Sequence, residues 1–274
     1  MPVDAPFPAL ETLMRLIGQA GRRLAEIDAS EGAAGNVSVY VAWPIEPRTV
    51  FPQVETIALP HPAPALAGGG LLVSGSGRRL REILDDPTAN LGFVQVDPGG
   101  TTGRLYTSER RLFRNLTSEF NSHLAVHQDQ AERTGTNFHA LIHAQPLHLT
   151  YLSHIPEYQD TLALSRRVLR WEPECIVHLP QGIGFIPYLI PGSAALMQAN
   201  VEMLRRYRVV VWARHGVMAR SDQSVKRACD RIEYAETGAR YEYLNLVNHE
   251  RASGLSAEEI RALCAAFGVE QEVF

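Results

Sequence analysis

What this chain has little of narrows its functions before any motif is read. It has only three cysteines, Cys175, Cys229 and Cys264. They are odd in number and widely spaced, with no CxxC pair, which excludes a thiolate zinc site and dithiol exchange. They read as reduced core thiols. Basic charge is not in excess either: 26 Lys and Arg against 30 Asp and Glu leave a net charge of −4. That removes any global pull toward nucleic acid or an anionic membrane, since both require a surface that neutralises phosphates. A local basic pocket remains open. The N-terminus, Met1 to Pro8, carries acid and three prolines where a secretory signal needs a basic start and a continuous apolar stretch. No later stretch reaches the roughly 18 apolar residues of a membrane span. The expectation is a cytoplasmic protein with no membrane segment and no nucleic-acid partner, free of internal repeats and low-complexity tracts.

What is present suits an ordinary globular chain. Its 274 residues are 45% hydrophobic and 20% charged, and one α/β domain over residues 1–274 is expected. Leu10, Leu13, Met14, Ile17 and Leu24 fall at helical spacing up to Ile27, and the stretch from Gly32 to Gly35 breaks that helix. Val37 to Val41 alternates like a half-buried strand. Prolines 44, 47, 52, 60, 62 and 64 mark residues 44–70 as an extended surface insertion with one strand near Thr56–Leu59. Leu71–Val73 reads as a buried strand entering the turn Ser74-Gly75-Ser76-Gly77, followed by an amphipathic helix from Arg78. Further strands are expected at Gly92–Asp97, Ala140–His143, Cys175–Leu179, Gly182–Ile186 and Val209–Trp212. Helices are expected from Glu119 to about Arg133 with Thr117 or Ser118 as N-cap, from Ser193 to about Arg206, and from Ser221 to about Asn248. A last helix opens on the capping box Ser256/Glu259 and closes at Gly268.

Three segments carry the chemistry: Thr117-Ser118-Glu119, Ile142-His143-Ala144-Gln145-Pro146 and Arg214-His215-Gly216-Val217. His143, Gln145 and His215 can each offer a lone pair to a divalent ion, and Glu119 can carry a proton. Such a set makes a Lewis-acid site for carbon chemistry. Both histidines follow apolar strands and so fall where strand ends open onto clefts. The bland reading of either histidine alone is a hydrogen-bonded structural residue, and that of Glu119 is a carboxylate complementing a helix dipole. Ser74–Gly77 and Thr117–Ser118 each combine hydroxyls with backbone N–H groups at the start of an expected helix, which suits a phosphorylated small substrate. His123 and His127 lack the intervening Glu of an HExxH site. His123 is therefore expected to pack on the sheet and His127 to be solvated.

The stretches Gly35–Val39, Leu72–Gly77, Asp86-Pro87-Thr88-Ala89-Asn90-Leu91-Gly92, Thr117–Glu119, Ile142–Gln145, Val177–Gly192 and Trp212–Val217 resemble the class II aldolase/adducin family, collinearly over nearly the whole chain. The Asp86–Gly92 segment and the proline-rich insertion are more particular to the branch acting on L-rhamnulose 1-phosphate. The resemblance implies a three-layer α/β/α fold around a largely antiparallel sheet, assembled as a four-fold symmetric homotetramer. It also implies a zinc-dependent lyase cleaving a ketose 1-phosphate to dihydroxyacetone phosphate and a hydroxyaldehyde. Carried over by position, Asn36, Ser76, Gly77, Thr117 and Ser118 hold the phosphate, Glu119 exchanges a proton with the enediolate carbon, and His143, Gln145 and His215 are the metal positions.

Two departures accompany the match. Gln145 stands where the family has its second histidine, and an amide oxygen is a harder and weaker zinc ligand than imidazole. Three arrangements remain open: a weaker site for zinc or a harder ion such as manganese, a site that recruits His178 or another side chain, or a member that has lost catalysis. Ala33 replaces a family asparagine and Tyr40 a family arginine, altering the phosphate loop. The alternatives to the lyase are a metal-poor, adducin-like binding module and a sugar-phosphate 4-epimerase, against which the long insertion argues.

Overall fold

The computed structural model describes residues 3–274. Among these, nine strands form one continuous sheet: β1 (Asn36–Val41), β2 (Gln53–Ala58), β3 (Gly70–Ser74), β4 (Leu91–Val96), β5 (Thr102–Thr107), β6 (Phe138–Ala144), β7 (Gly184–Ile186), β8 (Val209–Trp212) and β9 (Gly216–Ser221). The spatial order is β2-β5-β4-β3-β1-β6-β9-β8-β7. Every neighbouring pair is antiparallel except β7 with β8. The proline-rich insertion contributes the exposed edge strand β2, whose short length and polar Gln53, Glu55 and Thr56 suit an unpaired edge.

Helices cover both faces: α1 (Leu10–Glu26), α2 (Pro87–Asn90), α3 (Phe120–Thr134), α4 (Leu147–Leu152), α5 (Thr161–Leu169), α6 (Pro173–His178), α7 (Ala194–Arg206), α8 (Val225–Val247) and α9 (Ala257–Phe267). Because side chains alternate along a strand, β1 sends Val37, Val39 and Val41 to one face. There they join Ile142 of β6, Ala219 of β9, Leu13 and Ile17 of α1 and Ile232 of α8 in the main core. Each fully buried Leu or Ile of this kind contributes about 1.5–3 kcal/mol. The opposite face packs Leu71 and Val73 against Leu124 of α3, and Leu141, Val210 and Met218 against Val126 of α3 and Leu196 of α7. The three-layer α/β/α expectation holds, with a mostly antiparallel sheet.

The structure corrects four local expectations. β1 is buried along its whole length, not half-buried, because β3 and β6 flank it and helices cover both faces; Asn36 and Ser38 are hidden with it. The helix expected from Arg78 is a single 3-10 turn, Leu80–Glu82, in a segment that must turn again before Pro87. Cys175–Leu179 is not a strand: Pro173 at the first helical position starts α6, and a five-residue apolar run does not by itself separate a buried strand from a buried helix. The N-cap of α3 is Glu119 without a side-chain cap bond, while Thr117 Oγ1 accepts the Glu119 N–H at 3.4 Å.

Candidate functional site

Strand register gathers the polar residues of this face. β1 and β6 pair Asn36 with His143, Ser38 with Leu141 and Tyr40 with His139, so the period of two aims Asn36, Ser38, Tyr40, His139 and His143 toward α3. From α3, Glu119, His123 and His127 lie four residues apart on one helix side and point back at the strands. His127 is fully buried, contrary to the solvated position expected for it. Ser38 takes the place of water, its hydroxyl bonding His127 Nε2 and His123 Nδ1, each at 2.6 Å.

Glu119, His143 and His215 converge, with one ligand-capable atom from each inside a 4.8 Å span. His143 donates its Nδ1–H to the Val217 carbonyl at 2.8 Å, which leaves the Nε2 lone pair facing Glu119 Oε2 at 3.8 Å. Its ring stacks on Trp212 with centroids 4.4 Å apart. The indole is itself fixed by donating to Asn200 Oδ1 at 2.7 Å. His215 sits in the tight turn between β8 and β9, after Arg214 with φ 63°, and its Nε2 lies 3.9 Å from Glu119 Oε1. Its Nδ1 has no partner among the described residues. Burial, reinforced by His143 and opposed by Glu119, pushes the His215 imidazole down to about 4, so the ring is neutral with a lone pair to offer. Burial works against the Glu119 carboxylate, but His143, the Asn36 amide, His123 and His215 outweigh it and hold the acid below its ordinary value.

Gln145 lies one residue beyond β6, its N–H bonded to the Ala29 carbonyl at 2.8 Å. With His215, Ser30 and Arg81 it lines a cavity of about 710 Å3. Gly216 separates it from His143: a methyl there would fall 3.1 Å from both Gln145 Cγ and His143 Cε1. His178 is engaged elsewhere, stacked 4.6 Å from Tyr234 and bonded to Arg227 at 3.0 Å. Two imidazoles and a carboxylate form a donor set that fits a divalent cation such as zinc.

The two hydroxyl-rich turns run side by side. Ser76 N–H donates to the Asn115 carbonyl at 2.9 Å and Thr117 N–H to the Ser74 carbonyl at 3.0 Å. Gly75 is forced by the crossing, since a Cβ would meet the Phe113 ring at 2.2 Å. Ser76, Gly77 and Ser118 are exposed and Thr117 is buried. A hollow of about 540 Å3 opens beside the second turn, its lining including Glu55, Arg114, Asn115, Thr117, Ser118 and Asn121. Asn36 is not open in the same way: Nδ2 donates to Glu119 Oε2 at 2.8 Å and Oδ1 bonds His123 Nε2 at 2.5 Å.

Residues 15–243 match the Class II Aldolase and Adducin N-terminal domain. The chain belongs to the class II aldolase and adducin family. Among its relatives in this family, the rhamnulose-1-phosphate aldolase of Escherichia coli O157:H7 (strain EC4115 / EHEC) is 31% identical over 225 residues, covering 80% of this chain and 78% of that protein. The rhamnulose-1-phosphate aldolase of Enterobacter sp. (strain 638) is also 31% identical, over 220 residues, with 78% and 76% covered. A solved sugar-phosphate aldolase from Thermotoga maritima is 27% identical at a TM-score of 0.74, covering 89% of this chain and 99% of that one. Class II aldolases are metal-dependent, which accords with the Glu119, His143 and His215 cluster. Where the resemblance expects an arginine on β1, the buried phenol of Tyr40 stands, tilted toward His127 at 6.2 Å.

Proposed function

We propose that the protein is a metal-dependent aldolase that cleaves a ketose 1-phosphate of the L-rhamnulose 1-phosphate type to dihydroxyacetone phosphate and a hydroxyaldehyde. The observation that carries this reading is Glu119, 3.8 Å from His143 Nε2 and 3.9 Å from His215 Nε2: a proton carrier beside two imidazole nitrogens. His143 and His215 would hold the metal, zinc in the first instance, with Gln145 at the third position. When bound, the cation supplies Lewis-acid stabilisation of the negative charge that develops on the substrate oxygens.

The chain's own residues do the rest. Glu119, kept ionised by His143 and the Asn36 amide, exchanges the proton at the carbon that becomes the enediolate. Ser76, Thr117 and Ser118 offer hydroxyls to the phosphate and Gly77 and Ser118 their backbone N–H groups, with Arg114 in the hollow beside Thr117 and Ser118 as the nearby positive charge. Asn36 takes part through its one uncommitted amide hydrogen. The homotetramer implied by the resemblance is part of the proposal, supported by the exposed apolar side chains Leu112, Leu147, Tyr188 and Ile190. So is a cytoplasmic location, supported by three free buried thiols.

The test is metal analysis of the purified protein with a cleavage assay on L-rhamnulose 1-phosphate and other ketose 1-phosphates, supplemented with zinc, cobalt or manganese. Release of dihydroxyacetone phosphate by the metal-loaded protein supports the reading. Stoichiometric metal without cleavage of any ketose 1-phosphate ends it. Gln145 favours a second reading, a non-catalytic binding member. That reading prevails if cleavage arises only in Gln145→His.

A further inference from the structure

Behind Glu119 a continuous buried chain of hydrogen bonds crosses the layer between α3 and the sheet. It runs Glu119 Oε2 to Asn36 Nδ2 at 2.8 Å, Asn36 Oδ1 to His123 Nε2 at 2.5 Å, His123 Nδ1 to Ser38 Oγ at 2.6 Å, Ser38 Oγ to His127 Nε2 at 2.6 Å, and His127 Nδ1 to His139 Nδ1 at 2.8 Å. The three imidazoles and Ser38 are 0% exposed. The end of the chain, His139 Nε2, is buried with no partner among the described residues.

We infer that this chain has a single direction, fixed by Glu119, and that Ser38, His123, His127 and His139 are positioning residues that hold the carboxylate in its working orientation. The inference rests on the proposed role of Glu119. An ionised carboxylate only accepts, so Asn36 must turn its NH2 group to Glu119 and its oxygen away. That oxygen requires a donor, and His123 Nε2–H supplies it. Neutral His123 then has a lone pair on Nδ1, which accepts the Ser38 hydroxyl hydrogen. Ser38 Oγ in turn accepts from His127 Nε2–H, and His127 Nδ1 accepts from His139 Nδ1–H. His139 is left with a lone pair on Nε2, the end of the ring that needs no acceptor. One group sets five successive bonds and three tautomers.

Neutral rings are what the site favours: burial lowers His123, His127 and His139, opposed at His123 by Glu119 and reinforced at His139 by Arg220 and Arg231. The reverse polarity would bury an unpaired His139 N–H near those two guanidinium groups. Asn36 also decides what the chain does. An amide passes hydrogen-bond polarity but does not shuttle protons as an imidazole does, so the histidines orient Glu119 and do not feed it protons. Successive donors in a low-dielectric interior polarise one another, which strengthens the final bond to the carboxylate.

The test has two arms. Nitrogen-15 correlation spectra of the metal-free, substrate-free protein read the tautomers directly. His123 and His127 are expected with the proton on Nε2 and His139 with it on Nδ1; the opposite tautomer at any of the three rings overturns the inference. In the cleavage assay, His123→Leu is expected to lower kcat about 10- to 100-fold, as loss of an outer-shell partner commonly does, with KM unchanged. His123→Gln, whose amide replaces the donor to Asn36, is expected to recover most of that loss. Equal damage in both variants, or none in either, overturns it. The tautomers are read without turnover, so an inactive wild-type protein would end the aldolase reading while the spectra still decide the polarity of the chain.

Discussion

Two side chains at the site lend themselves to single substitutions. Glu119→Gln keeps the shape and the acceptor oxygen for Asn36 but cannot hold or give up a proton. Its kcat is expected to fall about 10²- to 10⁴-fold, the usual range for a general acid–base group, with bound metal retained if the two histidines dominate its affinity. A kinetic comparison beside metal analysis checks both halves; loss of metal together with activity would make Glu119 a ligand instead. Gln145→His replaces a neutral amide oxygen with an imidazole in the lining of the cavity shared with His215. Zinc affinity, titrated against a competing chelator, is expected to rise at least about tenfold, equivalent to about 1.4 kcal/mol.

At the level of elements, α1 shows how packing overrides propensity. Gly18 and Gly21 interrupt an otherwise well-formed helix, and alanine is intrinsically better there by about 1 kcal/mol. Yet a Cβ at Gly21 would lie 2.3 Å from the Leu80 carbonyl oxygen, and one at Gly18 2.5 Å from Leu84 Cα. Gly21→Ala is therefore expected to destabilise the fold by about 1–3 kcal/mol through overpacking; a urea midpoint at or above that of the parent would refute this close approach. The helix itself is legible from Leu10, Leu13, Met14, Ile17 and Leu24, but the reason for its glycines is not, because the facing backbone of Leu80 and Leu84 lies in a distant stretch of the sequence. The same limit applies elsewhere. β5 and β9 escaped the reading because Gly103, Arg104, Gly216 and Arg220 break the apolar pattern of their strands. α6 was misread because Cys175–Leu179 is too short for its period to show. At the site, Glu119, His143 and His215 could be picked out by residue type and strand-end position. Ser38, Trp212 and Asn200 could not, since only the register between β1, β6 and β8 and the packing of α3 and α7 give them their partners.

Across the whole molecule the most consequential property is how many imidazoles the fold hides. His123, His127, His139 and His215 are all pushed below their ordinary value, chiefly by burial, His123 and His215 to about 4. In the unfolded chain each titrates near 6.5, so between 6.5 and the folded value the unfolded state binds more protons. Stability then rises with pH across that window. It is fully present above about 6.5 and is lost as the solution is acidified toward 4, by about 1.4 kcal/mol per pH unit for each histidine that stays neutral in the fold. The lowered Glu119 carboxyl acts in the same sense, but only below about 4.5, where the unfolded acid begins to protonate. With four such histidines the urea midpoint of the metal-free protein is expected to be flat from pH 8 to 7 and to drop steeply between pH 6.5 and 5. At constant ionic strength, a midpoint unchanged down to pH 5 would mean that the buried rings accept protons without unfolding, which the orphaned Nε2 of His139 and its two neighbouring guanidinium groups oppose.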